Sequence, residues 1–384
     1  MVDRLANANT QTRLFWVRVT EGVAIADLWG QFAAGARASY DLYAAELDWS
    51  TFEGHKGPKR SLKIGRALFW AMLMKLSPSR RVFLLTALVF VALALISSRN
   101  SGVLIPCAAL LLLLALELAD RVTMKRDLEI ARDIQRWLVP SAPPHVNGVD
   151  IAFATRPANT VSGDYYDAFL RPASAVSGEH LLLAVADVAG KSVPAALLMA
   201  TIQASLRTLA AAPATLQELV SGLNRYASAH SLAGARFTTA FVAELDTATF
   251  DLAYINAGHV LPVLLRASGS VERLEIGGLP LGIKPDTAYE CGRVTLNRGD
   301  LLAVLTDGVT EAENEREEEY GEPRLLELFR RPGEDSAAGE LKRIMSAVDA
   351  FVGNARQHDD ITALVLLLPA GEASTARSSP GTPS

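Results

Sequence analysis

The sequence predicts an α+β protein in which helices cover stacked sheets, preceded by an all-α, membrane-anchoring region. Three observations predict this. Two uncharged runs, VFLLTALVFVALALI (82–96) and VLIPCAALLLLLAL (103–116), lie close together. After residue 149, short apolar runs of the length of buried strands recur. Two of these, TTAFVAELD and FDLAYINA, are separated only by TAT. That spacing indicates a hairpin with antiparallel pairing. Helical patterns inserted between such strands place the domain in the α+β class.

Taken in order, residues 1–81 read as a helical region. Ile25, Leu28, Phe32, Ala36, Tyr40, Tyr43 and Leu47 recur at three- and four-residue steps over 20–47. The turn-rich EGHKGPKR (53–60) breaks that helix, and a second is expected near 62–76. Its aromatics and lysines suit a membrane surface, and packing against the first helix accounts for them equally well. Residues 82–118 read as a two-helix membrane hairpin. Each run is slightly short for a span of ~20 residues but is apolar all round rather than striped. A buried hairpin within a soluble domain is the alternative. Lys75, Arg80 and Arg81 precede the first run, and Arg121, Lys125 and Arg126 follow the second. The positive-inside rule then places both termini in the cytoplasm, at the inner membrane. A cleavable leader is not expected, because the extreme N-terminus is polar.

Residues 119–139 read as a charged helical linker. Met124, Leu128, Ala131, Ile134 and Leu138 form one stripe, which fits a parallel coiled coil between two copies or packing on the chain's own following domain. Pro140, Pro143 and Pro144 mark the boundary of a domain spanning 140–368. Strands are expected at VDIAFATR, HLLLAVADV, TTAFVAELD, FDLAYINA, LPVLLRA, VERLEI, DLLAVLT and ITALVLLL. Helices are expected at 194–210, 215–230, 323–331 and 336–352. The Ala/Ser/Thr/Pro/Gly tail, 369–384, reads as disordered.

Charge is divided along the chain. Residues 1–81 hold 12 Lys/Arg against 7 Asp/Glu, whereas residues 140–384 hold 19 against 30. The acidic half disfavours nucleic acid as a partner and suits a rim that attracts cations. Cys107 and Cys291 offer neither a disulfide framework nor zinc spacing.

Asp187, Asp307 and the pair Asp359–Asp360 each sit at a strand end. Acids delivered to one rim repel one another unless cations neutralise them, and hard oxygen ligands favour magnesium or manganese. The chemistry indicated is metal-assisted hydrolysis. AGKS (189–192) is not a nucleotide loop, since that motif's first glycine would fall at Val185.

Seven segments then occur in order: VSGDYYDAF (161–169), ADVAGKSVPAALLMA (186–200), FTTAFVAELD (237–246), YINAGHVLPVLL (254–265), GGLPLGI (277–283), LTDGVTEA (305–312) and HDDITALVL (358–366). With the LEIARDIQRWLVP linker, this set resembles the PPM metal-dependent serine/threonine phosphatases, in their SpoIIE-like branch, over about residues 120–368. The resemblance implies an α-β-β-α sandwich with two magnesium or manganese ions at its edge. Asp187 matches the bridging aspartate and Val188 a carbonyl donor. Asp307 and Asp359 match ligands of one ion, and Asp164 an acid near the second. Asp167 and Asp360 are expected to support them. Arg156 is a candidate phosphate contact or a surface salt bridge, and His259 a general acid or a turn-organising group. Ser192 stands where the family usually has glycine.

The implied function is hydrolysis of phosphoserine or phosphothreonine in a protein by metal-activated water. A phosphorylated anti-sigma-factor antagonist of STAS type is the substrate the resemblance suggests. The competing class is a non-catalytic module that binds a phosphoprotein and signals through the membrane segment.

Overall fold

The computed structural model describes residues 78–96, 104–172, 179–230, 236–330 and 333–370, with scattered positions between 63 and 74. The helix expected over 20–47 and the tail from residue 371 lie outside these. The chain divides into two compact units, Met1–Val122 and Thr123–Ser384.

In the first unit the two apolar runs are helical. The first falls in α1 (Pro78–Ile96) and the second opens α2 (Leu104–Leu138), one helix of 35 residues. Val82, Leu85, Val89, Phe90 and Leu93 on α1, and Leu111, Leu112, Leu114 and Leu116 on α2, are all exposed. Arg80, at the start of α1, meets Asp120 at 2.7 Å and Glu117 at 3.2 Å, just past the apolar part of α2. That cross-link is the one an antiparallel pair of helices produces.

The second unit is a four-layer sandwich of the predicted class. One sheet has the order β1 (Asp150–Arg156), β11 (Ile361–Leu367), β10 (Leu301–Leu305), β6 (Val263–Leu265), β7 (Val271–Arg273). The other runs β2 (Asp164–Pro172), β3 (Glu179–Val188), β4 (Thr238–Asp246), β5 (Asp251–Ala257), β8 (Gly277–Gly278), with β9 (Gly292–Thr295) also paired to β5. β4 and β5 pair antiparallel, as the TAT spacing requires.

Strand alternation builds the layers. On β3, Leu181, Leu183 and Val185 join Phe241, Leu302, Val304, Leu364 and Leu366 in the core between the sheets. Leu182, Ala184 and Ala186 point the other way, onto α3 (Ser192–Ala210) and α4 (Leu216–Ala229). Ala195, Met199, Ile202, Leu206 and Ala210 form the buried stripe of α3. Among the described residues, α3 has the length and apolarity to cross a bilayer; its buried stripe makes it a core helix. The outer face of the first sheet is covered by α6 (Gly321–Phe329) and α7 (Ala337–Val352), after the one-turn α5 (Asp307–Thr310).

Two expected strands shrink, LPVLLRA to Val263–Leu265 and VERLEI to Val271–Arg273. Three strands went unread: β2 and the short β8 and β9. β2 breaks the apolar pattern with Asp164, Asp167 and Arg171, all of which are buried with polar partners. Asp167 receives Arg207 of α3 through two hydrogen bonds of 2.7 Å and the Tyr165 hydroxyl at 2.5 Å. It therefore fastens β2 to α3, and any support it gives the acidic rim passes through the strand that carries Asp164.

Candidate active site

Antiparallel pairing brings the acids of one sheet together. Asp164, at the start of β2, is the register partner of Asp187, near the end of β3. In the other sheet, β10 ends and β11 begins at the same edge, so Asp307 follows the first and Asp359–Asp360 precede the second. Contacts then join the two edges. Thr306 donates from its hydroxyl to Asp164 at 3.0 Å. Asp360 accepts from the Ala158 amide at 2.7 Å, the Ser162 hydroxyl at 2.8 Å and the Gly163 amide at 2.7 Å. The carboxylate of Asp360 is thus spent on holding the turn that carries Asp164.

Two glycines permit the close approach. A Cβ at Gly308 would lie 2.0 Å from the Asp360 carbonyl oxygen, so only glycine lets Asp307 sit against that strand start. A Cβ at Gly163 would come within 3.2 Å of the Val188 carbonyl oxygen and 3.6 Å of Asp187 Oδ1. The Val188 carbonyl is therefore at the rim with Asp187.

Electrostatics record the crowding. Burial, then the charges of Asp307 and Asp359, push the Asp187 carboxyl up to about 7. Burial and then Asp187 hold Asp164 well above the ordinary carboxylate range. Burial and then Asp359 raise Asp307, with Lys191 partly opposing. Glu311 is raised by burial and then by Asp307. Lys191 is a cation at this edge, with Nζ 3.0 Å from Asp359 Oδ2 and donating to the His358 carbonyl at 2.8 Å.

Among the described residues, no three His, Cys, Asp or Glu side chains are already drawn into a metal-holding cluster. The acids share one rim without closing on a common point. As a donor set they still fit a divalent cation. They are hard oxygens, mutually repelling, partly desolvated and short of positive charge. Asp187, Asp307, Asp359 and Asp164, with the Val188 carbonyl, are the groups that could hold one.

The two candidate substrate contacts, Arg156 and His259, are each held by partners within the chain. Arg156 is ion-paired with Asp349 of α7. It also lines a small groove with Gly308, Glu311, Gln357 and Asp359. His259 is buried, with Nδ1 3.1 Å from the Thr239 hydroxyl. Its amide donates to Asn256 Oδ1 at 2.7 Å, and Asn256 donates back to its carbonyl. Nε2 is buried without a hydrogen-bond partner among the described residues. Burial lowers its pKa to about 4, so the ring is neutral near pH 7. This is the turn-organising role; a buried neutral imidazole is a poor general acid.

Sequence reasoning missed Lys191, Glu311, Thr306 and Gln135, whose side chain bonds both backbone groups of Ser162. Lys191 and Glu311 sat inside recognised motifs and could have been weighed as rim charges. Thr306 and Gln135 also lie in recognised segments, LTDGVTEA and LEIARDIQRWLVP, but nothing local tells which partner either side chain takes. Ser192 has φ 64°, the left-handed conformation that glycine adopts freely, which accounts for the residue type it departs from.

A family model described as Stage II sporulation protein E matches residues 177–369. Protein IcfG of Synechocystis is 28% identical over 281 residues, covering 66% of this chain and 43% of that protein. Phosphoserine phosphatase RsbU of Bacillus subtilis is 30% identical over 244 residues, covering 63% of this chain and 70% of that protein. The chain thus spans under half the length of the first relative. Among solved structures, the SiaA-PP2C domain of Pseudomonas aeruginosa superposes with TM-score 0.56 at 21% identity, over 64% of this chain and 98% of that one. The PP2C domain and regulatory fragment of Bacillus subtilis SpoIIE gives TM-score 0.50 at 17% identity, over 58% and 64%. These two likenesses concern the fold.

Proposed function

Because the chain belongs to the Stage II sporulation protein E family, we propose that it is a metal-dependent protein phosphatase acting on phosphoserine and phosphothreonine. The observation that carries this reading is the convergence of Asp164, Asp187, Asp307 and Asp359, from four strand ends, on one edge of the sandwich. Two bound magnesium or manganese ions would neutralise the phosphoryl oxygens and lower the pKa of coordinated water.

The chain's own residues supply position. Asp187 is the central acid, acted on by the charges of Asp307 and Asp359, with Asp164 opposite it across the strand pair. Thr306 and Asp360 hold Asp164 and its turn, while Lys191 restrains Asp359. His259 is too buried to protonate a leaving group, so that proton comes from solvent at the rim.

We test the reading with the full chain and p-nitrophenyl phosphate. Manganese-dependent turnover is expected, with loss of at least about a hundredfold on adding EDTA or in Asp187→Ala. Activity that survives both treatments overturns the assignment.

Finer features belong to the same proposal. α1 and the start of α2 form the membrane hairpin, with the catalytic domain on the cytoplasmic side. The substrate is a phosphorylated protein, a STAS-type anti-sigma-factor antagonist being the candidate. Pairing of residues 118–138 between two copies would give a homodimer. A second reading, a non-catalytic phosphoprotein-binding module, draws on the acids not being gathered into a ready cluster. Calorimetric titration with manganese separates the two: absence of binding at millimolar metal favours the module.

A further inference from the structure

The acid most deeply set in the rim is held by a chain of contacts that begins outside the sandwich. Gln135 lies near the end of α2, 27 residues before Ser162. Its side-chain amide donates to the Ser162 carbonyl at 2.7 Å, and its amide oxygen accepts from the Ser162 N–H at 2.9 Å. Both backbone groups of one residue are therefore taken by one side chain. Ser162 is itself buried and passes the restraint on. Its hydroxyl donates to Asp360 at 2.8 Å and accepts from the Asp164 N–H at 3.0 Å. Gly163, between them, lies against the Val188 carbonyl and donates its amide to Asp360.

Three elements thus fix the turn before β2: the strand start at Asp360, Thr306 after β10, and α2 through Gln135. The first two belong to the rim. The hydrogen bonds of Gln135 go to the Ser162 backbone rather than to the acids. The cavity beside it, about 130 Å³, is lined by Gln135, Ser162, Asp164 and Met199. Without the clamp, the turn has open space on this side into which to relax.

We propose that Gln135 is a positioning residue for the acidic rim, setting Asp164 opposite Asp187 by clamping the Ser162 backbone. The proposal rests on the phosphatase reading, since its consequence is the strength with which the rim holds a divalent cation. The glutamine amide carries the donor and acceptor that match a peptide unit. A glutamate of the same length keeps the bond from the Ser162 N–H and sets a carboxylate against the Ser162 carbonyl. Alanine removes both bonds.

The test is calorimetric manganese titration of the full chain, with the thermal midpoint of the metal-free protein as a control for folding. In Gln135→Ala the manganese dissociation constant is expected to rise about five- to twentyfold, and in Gln135→Glu by an intermediate factor. The metal-free midpoint should stay within about 3 °C of wild type. At saturating manganese, turnover of p-nitrophenyl phosphate should recover most of the wild-type value, so the defect lies in metal dependence. Unchanged manganese affinity in Gln135→Ala overturns the proposal. So does a fall in midpoint that accompanies the affinity loss in both variants, since Gln135 would then serve only general stability. If the wild-type chain itself binds no manganese, the phosphatase reading has failed instead.

Discussion

His259 shows how a residue type that invites a catalytic role is claimed by packing. Its imidazole is buried beside Thr239, which pairs with Asp187 across the sheet. The folded-state pKa of about 4 lies below the ordinary 6.5. Unfolding therefore takes up a proton between those values, and stability falls as pH drops from about 6.5 toward about 4. Between pH 7 and pH 5 this group should cost the wild type about 2 kcal/mol. In His259→Gln that increment should vanish. Urea midpoints of both proteins at the two pH values measure the difference, and the acids of the rim, common to both, cancel. Equal acid sensitivity would show that the ring is solvated.

At the scale of elements, β2 carries the lesson. It is an edge strand whose inward and outward positions include acids, yet it is buried from Asp164 to Ala168 and again at Arg171. The Asp167–Arg207 pair makes this possible: the carboxylate has no exposure and both guanidinium bonds are 2.7 Å. Arg207 also stacks on Phe169, 3.9 Å from the ring centre, while remaining 41% exposed. Arg207→Ala should leave Asp167 with the Tyr165 hydroxyl and the Ala168 amide but no cation, and cost about 2–3 kcal/mol, below the figure for a fully buried pair because water reaches the arginine. Denaturant unfolding checks this. Because β2 delivers Asp164, the variant should also loosen the rim, whereas a change confined to the surface would leave stability within about 0.5 kcal/mol.

For the whole molecule, the open question is what covers the apolar surface of α1 and the start of α2. Leucine, valine and phenylalanine side chains are exposed around α1 rather than along one stripe, and no aqueous helix is stabilised by such a surface. A lipid environment removes that cost. The chain should therefore remain with membranes through alkaline carbonate and leave them only with detergent. Removing residues 1–117 should yield a soluble protein. Release of the intact chain by carbonate would require another cover for these helices.

Local pattern was sufficient for much of this architecture. The 3.6-residue stripes place α3, α4, α6 and α7 within two residues of their observed ends. The TAT spacing makes β4 and β5 a hairpin. The strand-end acids Asp187, Asp307 and Asp359 announce themselves because apolar runs stop where they begin. These features are encoded in neighbours along the chain, where periodicity and turn chemistry operate. β2, the clamp from Gln135 to Ser162, the bond from Thr306 to Asp164 and the diversion of Asp167 to Arg207 have no such signature. Each joins residues that only sheet pairing and helix packing bring together, and a polar side chain's role depends on which partner tertiary contact supplies. Sequence alone thus determined the class of fold and the acids at its edge. Tertiary structure decided which polar groups face the rim and which are spent holding it in place.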